Sequence, residues 1–317
     1  MSSVPGDLAK GHAYEKLAKK IKPEKVVLTK FRGSTYKPII HRLRLHKKSL
    51  PIIAIQHGPM KSTTVFYTDF PKDIPSNLRT NHIRKTPTPN DILIEGKIAK
   101  DKLKKEGYSE ERLHIIGPIR KEDFSSFIKT YNKKEIVEKL SFNLPEEKKV
   151  VLITPGMDDF QYLLPDSFKA LSEKKDFFGI LRPHPSTQEE ALKLISKLKE
   201  QHDWGNFVIG VKEDIYHLLA VSDINISTYS SCGIEAIAME KDVIWYDIPD
   251  VSTPSPFLDV PEAAIRAENP NQLKEALDSA FQKDRETQLR REKGRKLIDL
   301  YFNGLDGKVK ERALEYI

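Results

Sequence analysis

Two histidines carry the clearest chemical suggestion in this sequence. His57 stands in Gln56-His57-Gly58, directly after the apolar run Pro51-Ile52-Ile53-Ala54-Ile55. A neutral imidazole in that position could take a proton from a hydroxyl as general base. Gly58 would let a ligand or another backbone come close. The same residues also suit a histidine hydrogen-bonded into its own loops. His184 lies in Arg182-Pro183-His184-Pro185, again after an apolar run. Its flanking prolines stiffen the backbone and remove amide donors. That leaves a loop presenting Arg182 and His184, both able to hold an anion; a plain surface turn is the competing reading.

The third stretch runs from Ser222 to Asp247 and reads strand, turn, helix, strand. Ser227, Thr228, Ser230 and Ser231 crowd the turn, Gly233 follows, and Glu235 sits in the first helical turn. Small hydroxyls and the unpaired first amides of a helix suit an anionic group, usually a phosphate. Glu235 falls where a carboxylate could meet a ribose hydroxyl. Alternatively, the Ser and Thr residues simply cap a helix in an ordinary βαβ unit. Gly156, in the Pro155-Gly156-Met157 turn after another apolar run, joins the candidate anion-binding set, and Asp158-Asp159 beyond it is a second acid or base candidate that reads more simply as solvated loop. Arg32, in the turn Phe31-Arg32-Gly33-Ser34-Thr35, is a candidate on the His57 side together with Gln56 and Gly58.

Composition bounds the remaining options. The chain has 317 residues, 38% hydrophobic and 31% charged, with a net charge of +7. Such a balance favours an anionic partner, although the Lys-rich helices also read as solvated faces. Cys232 is the only cysteine, which excludes an internal disulfide and a Cys-based zinc site; a small filler role suits it. The other histidines share no spacing, and H-E-x-x-H, P-loop and G-x-S-x-G patterns are missing. Asp247 and Asp250 form a weak candidate pair for a divalent ion. No metal and no obligatory cofactor are expected. There is no 18-residue apolar run and no signal-type N-terminus, so a cytoplasmic protein is expected, with any membrane contact peripheral. Nucleic acid is not expected as a partner, since aromatic and basic residues do not interleave.

Positioning these residues requires a sheet. Apolar runs at 26–28, 51–55, 91–96, 113–118, 150–154, 178–181, 207–211, 224–227, 243–246 and 263–267 alternate with amphipathic segments, the sign of parallel α/β structure. Helices are expected near 1–23, 98–106, 128–140, 167–174, 188–201 and 215–220, and from Pro270 onward. A long irregular segment spans 59–89. The polar break at 143–147 suggests two domains, 1–143 and 144–317, with the terminal helices free to pack back on the first. The expected fold is α/β with two Rossmann-like domains whose parallel sheets face a central cleft. His57, Gly117, Gly156, His184 and Ser227 all follow strands, where ligands of open parallel sheets bind.

Taken together, Gln56-His57-Gly58, Arg-Pro-His-Pro at 182–185 and S-D-I-N-I-S-T-Y-S-S-C-G-I-E-A from Ser222 resemble the GT-B glycosyltransferase superfamily. Within it, the likeness is to CDP-glycerol glycerophosphotransferases of teichoic acid synthesis and to bacterial capsule and surface-polysaccharide transferases. The resemblance implies an acceptor-side first domain and a nucleotide-donor-binding second domain. It makes His57 the base, and His184 a donor-phosphate and catalytic group. Ser230 and Ser231 become the lining of the phosphate pocket. Thr228 replaces the Asp usual before Tyr-Ser-Ser in the glycerophosphotransferases, and Gln56 replaces a usual Trp. The Q-H-G form is similar to capsule transferases that use CMP-activated acidic sugars.

The implied function is transfer of a sugar or polyol phosphate from a nucleotide-activated, CMP- or CDP-linked donor to a hydroxyl. The implied partners are a nucleotide-sugar donor, a polysaccharide or lipid-linked acceptor, and an anionic membrane surface at the inner face of the plasma membrane. Two alternatives remain open on the same architecture: a nucleotide-sugar 2-epimerase, and a non-catalytic nucleotide- or polysaccharide-binding module.

Overall fold

The structure is a computed structural model that describes residues 4–63, 68–75, 85–201, 205–248, 254–282 and 285–317. The chain divides into two compact units, residues 1–125 with 299–317, and residues 126–298. The fold is α/β with parallel sheets.

The first unit contains α1 (Val4–Ile21), β1 (Val26–Leu28), α2 (Tyr36–His46), β2 (Ile52–Ile55), β3 (Asp91–Ile94), α3 (Lys97–Lys105) and β4 (Leu113–Ile115). Among the described residues, its four parallel strands follow chain order, β1-β2-β3-β4. Ile52, Ala54, Ile92 and Ile94 pack into one buried cluster with Ile39, Ile40 and Leu43 of α2. Arg44 ties α2 to the entry of β2, donating to the Leu50 carbonyl at 2.6 Å and to Asn90 Oδ1. The expected irregular segment at 59–89 is partly outside the described residues; a 3-10 turn occupies Pro71–Asp73.

α4 (Glu122–Thr130) and α5 (Lys133–Lys139) replace the single helix expected over 128–140. Asn132 breaks it by capping α5, its side chain accepting from Lys134 N at 3.0 Å. Phe127 stacks on Tyr131 and packs against Tyr216 and His217. These rings draw the segment into the second unit, so the division falls at 125/126 and not at 143/144.

The second unit continues with β5 (Lys149–Thr154), α6 (Phe160–Ser172), β6 (Phe177–Leu181), α7 (Gln188–Gln201), β7 (Phe207–Ile209), α8 (Ile215–Val221), β8 (Ile224–Ser227), α9 (Cys232–Ala238), β9 (Asp242–Tyr246), β10 (Ile265–Ala267) and α10 (Pro270–Ser279). Helix α6 starts at Phe160, well before the expected Ser167. Leu164, Phe168 and Leu171 keep helical spacing through Pro165 and are buried, so packing outweighs the one backbone hydrogen bond a proline removes. The strands β5, β6 and β8 are buried almost throughout, as a parallel sheet covered on both faces requires. Strand order is β10-β9-β8-β5-β6-β7. The chain therefore builds outward from β5 in one direction, then returns to its other side at β8. That reversal opens a crevice at the carboxyl ends of β5 and β8, where Thr154 pairs with Ser227.

α11 (Arg285–Phe302) begins in the second unit, and its last turn and α12 (Val309–Leu314) belong to the first. Val309 and Ala313 bury against Ile53, Leu93 and Ile116. Arg312 Nε donates to the Ile116 carbonyl at 2.8 Å. Gly96 lets the end of α11 approach, since a Cβ there would lie 2.6 Å from the Tyr301 carbonyl oxygen. Among the described residues, no helix is long and apolar enough to cross a membrane.

Candidate functional site

In the first unit, the end of β2 is held by a reciprocal pair that local sequence does not reveal. Gln56 Nε2 donates to the Gly58 carbonyl at 2.8 Å and to Glu95 Oε2 at 3.3 Å. The Glu95 amide donates to Gln56 Oε1 at 3.0 Å, and the Gly58 amide donates to Glu95 Oε1 at 3.1 Å. Gln56 and Glu95 are both buried. Gln56 is thus a brace beneath the turn, and the expectation that it meets the acceptor gives way to that role. Gly58 has φ +97°, a left-handed conformation that favours glycine, and a Cβ added there would meet nothing within 4 Å.

The brace leaves His57 exposed between its two neighbours. Its Nε2 lies 3.4 Å from Arg120 Nη1. Partial burial and the charges of Lys30 and Arg120 lower its pKa, so the imidazole is held neutral, as a proton acceptor must be. The two cations also favour an anion beside it. Glu95, Arg120 and Lys30 were not singled out from sequence; Glu95 alone left a trace, a carboxylate closing an apolar strand just before a glycine.

Arg32 sits elsewhere in the unit's interior. It pairs with Glu106, lies 3.9 Å from Asp69, and donates to Met60 Sδ at 3.6 Å. Asp69 also accepts from Lys37 at 2.5 Å and from the Tyr108 hydroxyl at 2.8 Å. The guanidinium is committed to this buried cluster, which corrects its expected place on the acceptor side.

In the second unit, the crevice-lining loops separate into an inner layer and an outer layer. Ser227 is fully buried, at 0% exposure, and its Oγ has no hydrogen-bond partner. Thr228 is also buried, donating its hydroxyl to Asp159 Oδ2. Neither faces the surface, so the reading of both as donor contacts is corrected to an inner role. Asp159 is likewise at 0% exposure; the loop read as solvated is exposed at Asp158 and buried one residue later. Gly156 is required by Tyr229, because a Cβ there would lie 2.5 Å from the phenolic oxygen. The Tyr229 hydroxyl accepts from the Asp158 amide at 2.9 Å, and burial pushes its pKa up to about 12. Gly156 therefore seats a ring that locks the β5 loop to the β8 loop.

The outer layer holds Ser230, Ser231, Arg182 and His184, all half-buried. Ser230 Oγ accepts from the Cys232 amide at 3.3 Å, and Ser231 Oγ donates to Glu235 Oε1 at 3.2 Å. Glu235 is buried, and Gly233 packs beneath the Phe257 ring. His184 Nδ1 accepts from the Ser186 amide at 3.1 Å. Burial lowers its pKa, so the neutral ring carries its proton on Nε2, which is then a donor for an anionic oxygen. Arg182 Nη1 donates to the Val211 carbonyl at 2.8 Å. That contact anchors one side of the guanidinium on the β7 loop. Asp247 is taken by Arg266, whose Nε and Nη2 lie at 2.8 and 2.6 Å from Oδ2; Asp250 lies outside the described residues. Among the described residues, no group of three or more His, Cys, Asp or Glu could hold a metal ion.

A parallel sheet in chain order in the first unit, with a doubly wound parallel sheet and its strand-end crevice in the second, is the architecture of the GT-B class, and solved structures share the fold. S. aureus MnaA with UDP superposes with a TM-score of 0.65 at 13% identity, covering 99% of this chain and 80% of that one. The UDP-GlcNAc 2-epimerase from Neisseria meningitidis bound to UDP-GlcNAc gives 0.63 at 15%, covering 99% and 81%. A variant of the wall teichoic acid polymerase TagF with CDPG gives 0.54 at 19%, covering 92% and 70%. Within this class, the family model for CDP-Glycerol:Poly(glycerophosphate) glycerophosphotransferase matches residues 53–317, and the chain belongs to that family. The teichoic acid glycerol-phosphate primase of Bacillus spizizenii is 32% identical over 113 residues, 34% of this chain. The match spans 28% of that relative's length.

Proposed function

We propose that this chain transfers a polyol phosphate, or a sugar, from a CDP- or CMP-linked donor to a hydroxyl acceptor in the synthesis of a cell-surface polymer. The observation that carries this reading is the glycerophosphotransferase family match from residue 53 to residue 317. His57, His184, Arg182, Ser230 and Ser231 all fall within it.

For a CDP-linked polyol phosphate, the acceptor oxygen attacks the phosphorus that bears the polyol. A new P–O bond forms, the bond to the bridging oxygen breaks, and CMP leaves with that electron pair. His57 accepts the acceptor's proton, its neutral state favoured by partial desolvation and by the charges of Lys30 and Arg120. His184 Nε2–H and the outward side of Arg182 bind donor phosphate oxygens, stabilising charge as it builds on the leaving group. Ser230 and Ser231 add hydroxyl donors, and Glu235 holds Ser231 in place. These fixed donors supply the charge stabilisation without a divalent cation.

The test is incubation with CDP-glycerol and, separately, CMP- and UDP-linked sugars, with and without a glycerol-phosphate primer. CMP release that depends on primer supports the reading. A donor sugar epimerised with no acceptor present would replace it with the 2-epimerase reaction. Nucleotide binding with no turnover of any donor would replace it with a binding role.

A further inference from the structure

A second charged concavity lies in the second unit, away from the strand-end crevice. A cavity of 250 Å³ opens at the amino-terminal end of β9 and is lined by Glu240, Lys241, Asp242, Arg290, Arg291 and Arg295, among others. Four cations face two carboxylates there, an excess of two positive charges. The cavity walls are α9, the start of β9 and one face of α11, where Arg291 and Arg295 stand one turn apart. Gly294 brings α11 close, since a Cβ there would lie 2.6 Å from Ile237 Cγ2 of α9.

Arg290 is the fixed floor of this group. Its side chain is only 11% exposed, and Nη2 donates to Thr287 Oγ1 at 2.9 Å. Its Nε has no hydrogen-bond partner and lies 4.0 Å from Asp242 Oδ1, and its Nη1 lies 3.6 Å from Glu286 Oε1 on the solvent side. Lys241 donates to the Ala220 carbonyl at 3.1 Å. Burial and nearby Lys133 lower the pKa of Lys241, against a smaller opposing pull from Asp223. The cations are therefore crowded, and they outnumber the carboxylates that line the cavity. Arg291 and Arg295 are exposed at the cavity rim, and a guanidinium presents paired N–H groups suited to phosphate oxygens.

We propose that this cavity binds the phosphate group of a small phosphoester, independently of the nucleotide donor. The volume suits a phosphate with a few carbons and falls below the range usual for larger ligands, ~300–1,000 Å³. The site is also distinct from the donor crevice. β9 separates them by its five residues, on the order of 15 Å at the usual strand rise. Such a phosphate could be borne by a soluble molecule or by a glycerophospholipid headgroup, and both present the same group to the arginines.

The test is calorimetric titration of the full chain with sn-glycerol 3-phosphate and with inorganic phosphate at low salt, alongside sedimentation with phosphatidylglycerol and phosphatidylcholine vesicles. Arg291→Gln/Arg295→Gln should weaken glycerol 3-phosphate or phosphatidylglycerol binding at least tenfold. Arg291→Lys/Arg295→Lys should restore part of it. CDP affinity should be unchanged in both variants, which also shows that they fold. Binding in solution identifies a soluble ligand, and binding only to phosphatidylglycerol vesicles identifies a lipid headgroup; either supports the site. No binding in any arm, binding unaltered by the glutamines, or displacement of glycerol 3-phosphate by CDP would overturn it.

Discussion

Replacing Gln56 with Leu probes the brace under His57 at nearly constant volume. The substitution removes the 2.8 Å bond to the Gly58 carbonyl, the 3.3 Å bond to Glu95 Oε2 and the 3.0 Å acceptor of the Glu95 amide. A neutral hydrogen bond contributes about 1 kcal/mol net and one to a charged group about 1.5–3 kcal/mol. The bond to the carboxylate is long, which argues for the low end of its range. The total cost is ~2–4 kcal/mol, or a melting temperature lower by on the order of 10 °C for a unit of this size. Calorimetry or circular dichroism against temperature measures it. The same variant should lower kcat roughly 10- to 100-fold with donor KM unchanged, because the imidazole is displaced while the donor loops are untouched. Gln56→Glu adds a sharper readout. It sets a second carboxyl against buried Glu95, and the folded state then holds a proton that the unfolded chain releases. Its stability deficit should therefore shrink as pH falls through that raised pKa. If Gln56→Leu melts within about 2 °C of the parent, the pair is exchanging freely with water and the reasoning fails.

The lowered His57 pKa predicts that kcat/KM stays level as pH falls past the ordinary imidazole value and drops only below it, where the ring protonates; a fall beginning above that value would contradict the electrostatic account. Gly156→Ala should cost ~2–4 kcal/mol, from overpacking against Tyr229 and loss of the Asp158–Tyr229 bond, and denaturant unfolding would show it. Gly58→Ala meets open space but a left-handed backbone, so its cost should be only about 1–2 kcal/mol. A larger loss in equilibrium unfolding would mean that the turn has a steric neighbour.

The strand-end position of both histidines was legible because an apolar run followed by a polar, proline- or glycine-flanked histidine marks the end of a parallel strand. Helix limits were legible where apolar spacing and caps agreed, as in α7. They were not legible at Pro165, where local propensity argued against a helix that packing of Leu164, Phe168 and Leu171 imposes. The unit boundary also escaped the sequence. The polar break at 143–147 is conspicuous, yet the rings of Phe127, Tyr131 and Tyr216 determine which unit the preceding helices join.

The sequence by itself settled residue type and chain position: parallel α/β structure, a histidine after β2, another after β6, and a hydroxyl-rich turn after β8. Tertiary structure alone decided which of those groups face outward. Ser227 and Thr228 read like Ser230 and Ser231 in the chain, but the first two are buried and the others half-buried. Gln56 and Arg32 read as ligand contacts, yet each is occupied by a carboxylate distant in sequence, Glu95 and Glu106. A side chain's availability depends on which partners the folded chain brings beside it, and those long-range pairings leave almost no local trace in composition or spacing.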